Sequence, residues 1–543
     1  MKKVQKPESF VSLTGERLKK NWKADLLSGF LVFLIALPLS LGIAIGSSFP
    51  PMAGIISAAV GGIVVSIFSG SHLTICGPAA GLIVVIIHGV DVLGGGDLTL
   101  GYQTTLAAIV IAGIMQVLFG FMKSGKLSTF FPGAVVHGMM AAIGIIIISK
   151  QIHVLLGVKP ESKEILSVIA EIPNSIRHLN PQVTVIGIVS LLMLIFIPKI
   201  PFSWIKKVPI PMLVVIVGIC FDKIFNLQQE HVYTFFDQQF EIGPKFLVQL
   251  PKNLVDGIVF PNWSLIGTAN FWIVTVSIAL VASLETLLSA SAIQSLDPQK
   301  RKANFDKDLI ALGLGTTISG FIGGLPMIAE IVRSSSNVNN GAKTQWSNFF
   351  HGIFMVIFVA GVPWLVQEIP LSSLAALLVF VGWRLGSPKE FIKIYKIGID
   401  QLIIFTSTVI MTIATDLLAG VAFGILVKIF IHLIRGLKIK EIFFTNVLVY
   451  NRKGAVVKIK VIRAAIFWSI YKVKDTLYNL PNAKIIYIDL SDCIIVDHSM
   501  MEFLEHNQQE FADEGVEFNI IGIEKFSPES EHHLATRRTK DPS

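Results

Sequence analysis

"GGLPMIAEIVRSSSNVNN", residues 323–340, gathers Glu330, Arg333, a run of three serines and Asn337 within a few positions of one another. The chain around it is largely apolar from about residue 24 to about residue 436. A permanent cation in such surroundings is costly unless it faces a wet cavity or a partner. The stretch therefore carries a task that a lipid-facing helix does not have.

The 543 residues have a mean hydropathy of +0.68, with 52% hydrophobic and 15% charged residues. Soluble domains average about 25% charged residues. The window "ADLLSGFLVFLIALPLSLGIAIG", 24–46, is long enough to cross about 30 Å of hydrocarbon as a helix. Many such windows follow, which predicts an all-α polytopic membrane protein with fourteen transmembrane segments between residues 24 and 436. The first window is too long for a cleavable signal and lacks an A-x-A-like site. Cys76, Cys220 and Cys493 lie far apart, without zinc or disulfide spacing. The net charge of +8 does not imply nucleic acid, because the basic residues cluster at membrane boundaries.

Lysine and arginine placement sets the orientation. "RLKKNWK", "KSGK", "PKIPFSWIKK" and "DPQKRKANFDKD" fall on one side. "SSFPP" and "VQEIPLSS", on the other, contain neither residue. Residues 1–23 are thus expected as a cytoplasmic segment with both termini cytoplasmic, and the expected location is a bacterial inner membrane. Beyond about residue 436 the runs "NVLVYNRKGAVVKIKV", "AKIIYIDL" and "EFNIIGI" are β-branched, with a helical stretch before the last. They predict a small cytoplasmic α/β domain over 437–525, followed by a disordered tail over 526–543.

Two expected segments are too short for ordinary spans, the third from Gly77 and the tenth from about Arg333. They occupy matching places in two halves: "FLIALPLSLGIA" pairs with "VSIALVASLETLL", and "AAVGGIVVSIFSG" with "LGLGTTISGFIGG". Broken segments at matching places point to a transporter site, and seven spans per half invert the second copy. In "SHLTICGPAAGLIVVI" the Gly77-Pro78 pair predicts a helix start near Pro78. The free N–H groups of Ala79, Ala80 and Gly81 would then face a cavity. In "PMIAEIVRSSSN" the serines cap a second helix and offer hydroxyls beside Arg333. Two such N-termini bind an anion without metal or cofactor. The bland alternative pairs Arg333 with Glu330 or Glu285 for packing alone. Glu285, in "LVASLETLLSASAIQ", is a membrane carboxyl suited to carrying a proton or sodium ion. "GFMKSGKL", 120–127, falls short of a phosphate loop because Leu127 replaces the hydroxyl residue and no strand precedes it.

"DLLSGFLVFLIALP", "SSFPPMAGIISA", "FSGSHLTICGPAA", "LETLLSA" and "VRSSSNVNNGAKT" resemble the SulP family of anion transporters, and the C-terminal part resembles a STAS domain. The resemblance implies core and gate domains as 7+7 inverted repeats, an elevator-like movement and a homodimer in the lipid bilayer. It places an inorganic anion between the third and tenth helices. By this resemblance Gly77, Pro78 and Ala79 bind the anion with Arg333 and Ser334, and Glu285 holds the coupling ion, H+ or Na+; the helix-start and serine-run readings add Ala80 and Ser335 to the anion site. Leu39 and Val332 depart from the glutamine and serine common in the family, and Asp497-His498-Ser499-Met500 departs from the usual STAS turn. The expected function is secondary active transport of sulfate or bicarbonate. An uncoupled exchanger or channel, a nucleobase permease and a membrane sensor acting through the tail are the rivals. With no nucleophile–base pair or metal cluster, an enzyme is not expected.

Overall fold

A computed structural model describes residues 13, 15–125, 132–162, 164–201, 208–251, 254–444, 446–450, 456–478, 483–513 and 515–539. Most of the expected N-terminal segment 1–23, Lys126 and Leu127 of the phosphate-loop-like stretch, and the last four residues of the expected tail lie outside them. The chain forms two compact units, one from Pro7–Gly125 and Ile143–Leu385, the other from Met1–Lys6, Lys126–Ala142 and Gly386–Ser543.

The first half runs α1 (Gly15–Gly46), α2 (Pro51–Phe68), β1 (Cys76–Pro78), α3 (Ile83–Gly94), α4 (Leu98–Phe121) and α5 (Gly133–Leu155). It continues through α6 (Ile165–Arg177), α7 (Pro181–Phe196), α8 (Ile210–Phe225) and the hairpin β2 (His231–Phe235) and β3 (Gln238–Ile242). The second half opens with α9 (Ala269–Leu296), α10 (Phe305–Phe321), β4 (Met327–Ala329), α11 (Ile331–Asn339) and α12 (Trp346–Gly361). Then follow α13 (Pro363–Gln367), α14 (Leu371–Leu385), α15 (Pro388–Ile397), α16 (Ile399–Ala414) and α17 (Leu417–Ile434). The apolar windows expected as spans fall on helices, and the one over 345–366 is divided between α12 and α13. Among the described residues eight helices are long and apolar enough to cross a bilayer, and Ala80–Gly94, Trp346–Gly361 and Ile399–Ala414 are shorter apolar ones. Both short segments start elsewhere than the sequence suggests. The third turns helical at Ala80 rather than Pro78, and the tenth at Ile331 rather than Arg333.

The larger unit is organised around β1 and β4, which pair antiparallel with Gly77 opposite Ile328. Cys76, Met327 and Ala329 belong to an apolar cluster with Phe33, Leu37, Leu41, Val65 and Met355. Backbone in such a place has no water to bond, so each strand supplies the other's partners. Side chains secure the approach to the crossing. Asp308 accepts from the N–H groups of Gly70 (2.9 Å) and Ser71 (3.0 Å), and Asp25 from those of Lys343 (2.7 Å) and Thr344 (3.0 Å).

The smaller unit carries the C-terminal α/β domain: α18 (Ile439–Phe443), β5 (Asn446–Tyr450), β6 (Val456–Ala465), α19 (Phe467–Tyr478), β7 (Ile485–Val496), α20 (His498–Asp513) and β8 (Glu517–Ile521). β6, β7 and β8 are parallel neighbours joined by α19 and α20 as crossovers, and β5 lies antiparallel to β6. The segment expected as a disordered tail instead contributes β9 (Phe526–Pro528) and β10 (Arg537–Thr539). Arg537 pairs with Val496 of β7, and Ser530 Oγ donates to the Ile397 carbonyl at 2.7 Å. Backbone bonds to the far half of β7 outweigh the segment's polar composition, which is why composition alone misread it.

α17 ends against this sheet. Lys428 Nζ lies 2.9 Å from Asp497 Oδ2 and donates to Ser499 Oγ at 3.0 Å, and His432 Nε2 lies 3.7 Å from the same carboxylate. Lys428, His432 and Asp497 are all buried. Burial alone would raise the Asp497 carboxyl, but the Lys428 ammonium and the His432 ring hold it well below the usual carboxylate range. Removing one partner of a buried pair leaves the other uncompensated, at a cost of about 3–5 kcal/mol. Asp497→Ala is therefore expected to lower the melting temperature followed by Trp468 fluorescence. The pair Lys428→Met with Asp497→Leu should recover part of the loss, short of the cap Asp497 gives the Met500 N–H.

Candidate functional site

The antiparallel crossing decides where the helix ends go. Chain leaving β1 at Pro78 and chain leaving β4 at Ala329 depart in opposite directions, and each becomes helical within two residues. Ala79 is extended (φ −105°, ψ 138°), and a 3-10 turn, Ala80–Leu82, opens the third helix. Glu330 is likewise extended and its N–H donates to the Ile75 carbonyl at 2.8 Å. The first N–H groups of both helices lack intrahelical acceptors by geometry. Ala80 and Gly81 are half-buried, while Ile331 and Val332 are 41% and 42% exposed. Both first turns thus open to space, with the positive ends of two dipoles behind them.

Arg333 lies in the first turn of α11 and is fully buried. Its guanidinium reaches back to the other strand, where Nη2 donates to the Pro78 carbonyl at 3.4 Å. A Cβ on Gly77 would sit 2.6 Å from Nη1 and 3.7 Å from the Ala58 Cα, so the charge lies flat against a residue that has no side chain. Nε and Nη1 find no hydrogen-bond acceptor, and no carboxylate lies within 4 Å of Arg333, among the described residues. The pairing of Arg333 with Glu330 or Glu285 is thus not made. Glu330 acts on it only at longer range.

Ser334 is fully buried, and its hydroxyl accepts the Ile75 N–H at 2.8 Å, which ties α11 to the entry of β1. Ser335 is half-buried on the same turn. Glu285, half-buried on α9, comes to the other helix. A Cβ on Gly81 would lie 1.7 Å from Glu285 Oε1, so the carboxyl rests on the first turn of the third helix. The structure therefore joins Gly77, Pro78 and Arg333 at one place, and Glu285 with the turn that begins at Ala80.

Sequence reading missed the polar residues that hold this crossing. Asn337 Nδ2 donates to the Leu73 carbonyl and to Ser347 Oγ, each at 2.9 Å, and Ser28 Oγ donates to Asn337 Oδ1 at 2.7 Å. Asn348 Oδ1 accepts the Cys76 N–H at 3.2 Å, and its Nδ2 donates to the Gly61 carbonyl at 3.0 Å. The signal was available: an asparagine within the apolar helix "WSNFFHGIF" is costly unless it has such work. Among the described residues no cluster of His, Cys, Asp or Glu could hold a metal ion.

The model of the family described as "Sulfate permease family" matches residues 22–408. The chain is 27% identical to the Bacillus subtilis (strain 168) protein named "Putative sulfate transporter YvdB" over 509 residues, covering 91% of each. It is 22% identical to the bicarbonate transporter BicA of Synechocystis over 417 residues, 77% of this chain and 71% of that one. Among solved structures, the transmembrane domain of a cyanobacterial BicA superposes with a TM-score of 0.63 at 23% identity, covering 74% of this chain and 98% of that one. SLC26A9 does so with a TM-score of 0.67 at 14% identity, covering 93% and 85%.

The close approach at Gly77 has a measurable cost. Gly77→Ala forces the guanidinium aside, and overpacking of this kind costs about 1–3 kcal/mol. Thermal unfolding of the purified protein should show that loss, and Arg333→Met in the same chain should relieve most of it. Equal losses with and without Arg333 would mean that the strain lies elsewhere.

Proposed function

Because this chain belongs to the sulfate permease family, we propose that it is a secondary active transporter of an inorganic anion, sulfate or bicarbonate, coupled to a proton or a sodium ion. It is a multi-pass membrane protein of a transporter family, not an enzyme. The observation that carries the reading is the buried guanidinium of Arg333, without a carboxylate partner among the described residues, between two helices that both begin at the strand crossing. At the α11 end the donors and the positive dipole end have, among the described residues, no carboxylate paired with them.

In this reading the anion is held between the turn at Ala80 and the first turn of α11. Gly77, Pro78 and Ala79 shape the approach, Arg333 supplies charge from behind, and Ser334 and Ser335 complete the second helix. Ala80 and Gly81 on one side and Ile331 and Val332 on the other offer the N–H groups that replace water. Glu285 lies against Gly81, so its carboxylate competes with the anion for one helix end. A bound proton or sodium ion cancels that charge, and the two ligands then favour each other's binding by the same free energy. No resident cofactor is needed. Fourteen spans in 7+7 inverted repeats would let the loaded core move against the gate, elevator-like, in a homodimer. In this reading the membrane is a bacterial inner one, and the basic loops support both termini lying in the cytoplasm.

Uptake into proteoliposomes tests this, with radiolabelled sulfate and bicarbonate compared under imposed proton and sodium gradients. Glu285→Gln is expected to abolish concentrative uptake, and intact coupled uptake in that variant would remove Glu285 from the coupling role. Flux that merely equilibrates in the parent protein, whatever the gradient, would make it an exchanger or channel.

A further inference from the structure

Between β9 and β10 the chain reverses over residues 529–536, where the Glu529 N–H donates to the Thr536 carbonyl at 2.9 Å. Both backbone groups of Leu534 in this turn are bound to imidazoles. Its N–H donates to His532 Nδ1 at 3.1 Å, and its carbonyl lies 2.8 Å from His498 Nδ1 on α20. The Leu534 side chain packs against the apolar core of the domain. Ser530 Oγ accepts the His532 N–H at 3.2 Å while it donates to the Ile397 carbonyl of α15. Thr536 Oγ1 donates to Asp400 Oδ2 of α16 at 3.1 Å, and Glu529 pairs with Arg435 at the end of α17. One turn thus ties α20 to the ends of three other helices.

The two imidazole bonds respond differently to a proton. A carbonyl only accepts, so His498 carries a hydrogen on Nδ1, and a second proton on Nε2 leaves that bond in place. His532 accepts at Nδ1, which must therefore hold a lone pair, and a proton there destroys the bond. The new cation also finds poor company. The His532 and His533 rings stack with centroids 4.6 Å apart, and Glu505 Oε2 already lies 3.3 Å from His533 Nε2. The groups that act on His532 are His533 beside it, His498 and Glu505 of α20 and Lys393 of α15. Partial burial, then His533, His498 and Lys393, hold it below the ordinary imidazole value, against the pull of Glu505. A proton on His533 strengthens its own pairing with Glu505, but both groups are exposed, where such a pair contributes little.

We propose that residues 526–539 form a proton-released clasp: with His532 neutral the turn is locked between α15 and α20, and a proton on His532 Nδ1 frees it and uncovers the end of β7 beside Asp497. The device is independent of which anion the protein carries. The released segment binds the proton more readily than the docked one. Docking is therefore complete above the free imidazole's pKa of about 6.5 and weakens as pH falls from there toward the docked value, by at most about tenfold per pH unit.

The distance between two nitroxides in the full-length protein in nanodiscs tests this, with one label at Glu531→Cys in the turn and one at Gln509→Cys on α20. Both positions are exposed. Cys220→Ser removes the exposed native thiol, and Cys76 and Cys493 are buried. Pulsed electron resonance should give one narrow distribution at about pH 8, and a broad, longer component should rise at least threefold at about pH 5.5. His532→Asn keeps an acceptor oxygen and cannot titrate, so it should hold the narrow distribution at both pH values. His532→Phe has no acceptor and should show the broad component already at about pH 8. His498→Asn retains an N–H donor and should open with acid as the parent does. A parent distribution that ignores pH overturns the proposal, as does a His532→Asn variant that opens with acid. Loss of the acid response in His498→Asn would move the switch to the other ring and overturn it as well.

Discussion

Everything in the larger unit depends on one constraint: a backbone that stops being helical inside a membrane must still find partners for its N–H and C=O groups. Three residues of β1 and three of β4 meet that demand for each other, and Ile75, Glu330, Ser334 and Asn348 meet it at the margins. Once the strands are paired, the helix ends beyond them are fixed in place and point inward. Neither end could be held there by its own half of the sequence. The site is therefore a product of the two halves together, and a helix end from each is available to a ligand.

The electrostatics of the crossing is lopsided in a useful way. Each helix N-terminus acts as about half a unit charge, and Arg333 adds a full one from within the packing. For an anion about 6 Å from the guanidinium, an effective dielectric of about 20 gives roughly 3 kcal/mol of attraction. A carboxylate paired directly with Arg333 would have cancelled it, and among the described residues neither Glu330, which acts on it at longer range, nor Glu285 makes that pair.

The spans were legible because apolar length is read one residue at a time. The short third and tenth helices were legible from Gly77-Pro78 and from the polar run after Pro326. What escaped was contact between distant segments. No local pattern in Cys76–Pro78 announces a strand, since its three residues acquire that character only opposite Met327–Ala329. The same holds for Asn348 and Asp308, whose partners lie hundreds of residues away in sequence. Arg333 was identified by type, but its burial and its turn toward Pro78 depend on Gly77 having no side chain. Residues 526–539 failed for a related reason: polar composition says nothing about a strand edge waiting elsewhere.

That edge has a consequence for synthesis. β7 pairs with β8 along its first half and with β10 only near its end, at Ile495 and Val496. Arg537 leaves the ribosome forty-one residues after Val496 (537 − 496 = 41), which takes about 2–8 s at 5–20 residues per second. Through that interval the end of the longest strand, at Ile495 and Val496, has one edge unpaired, the feature that recruits a neighbouring chain. The hazard in making this protein thus falls late, after the spans are out, in a half-closed sheet beside crowded nascent chains on the same membrane.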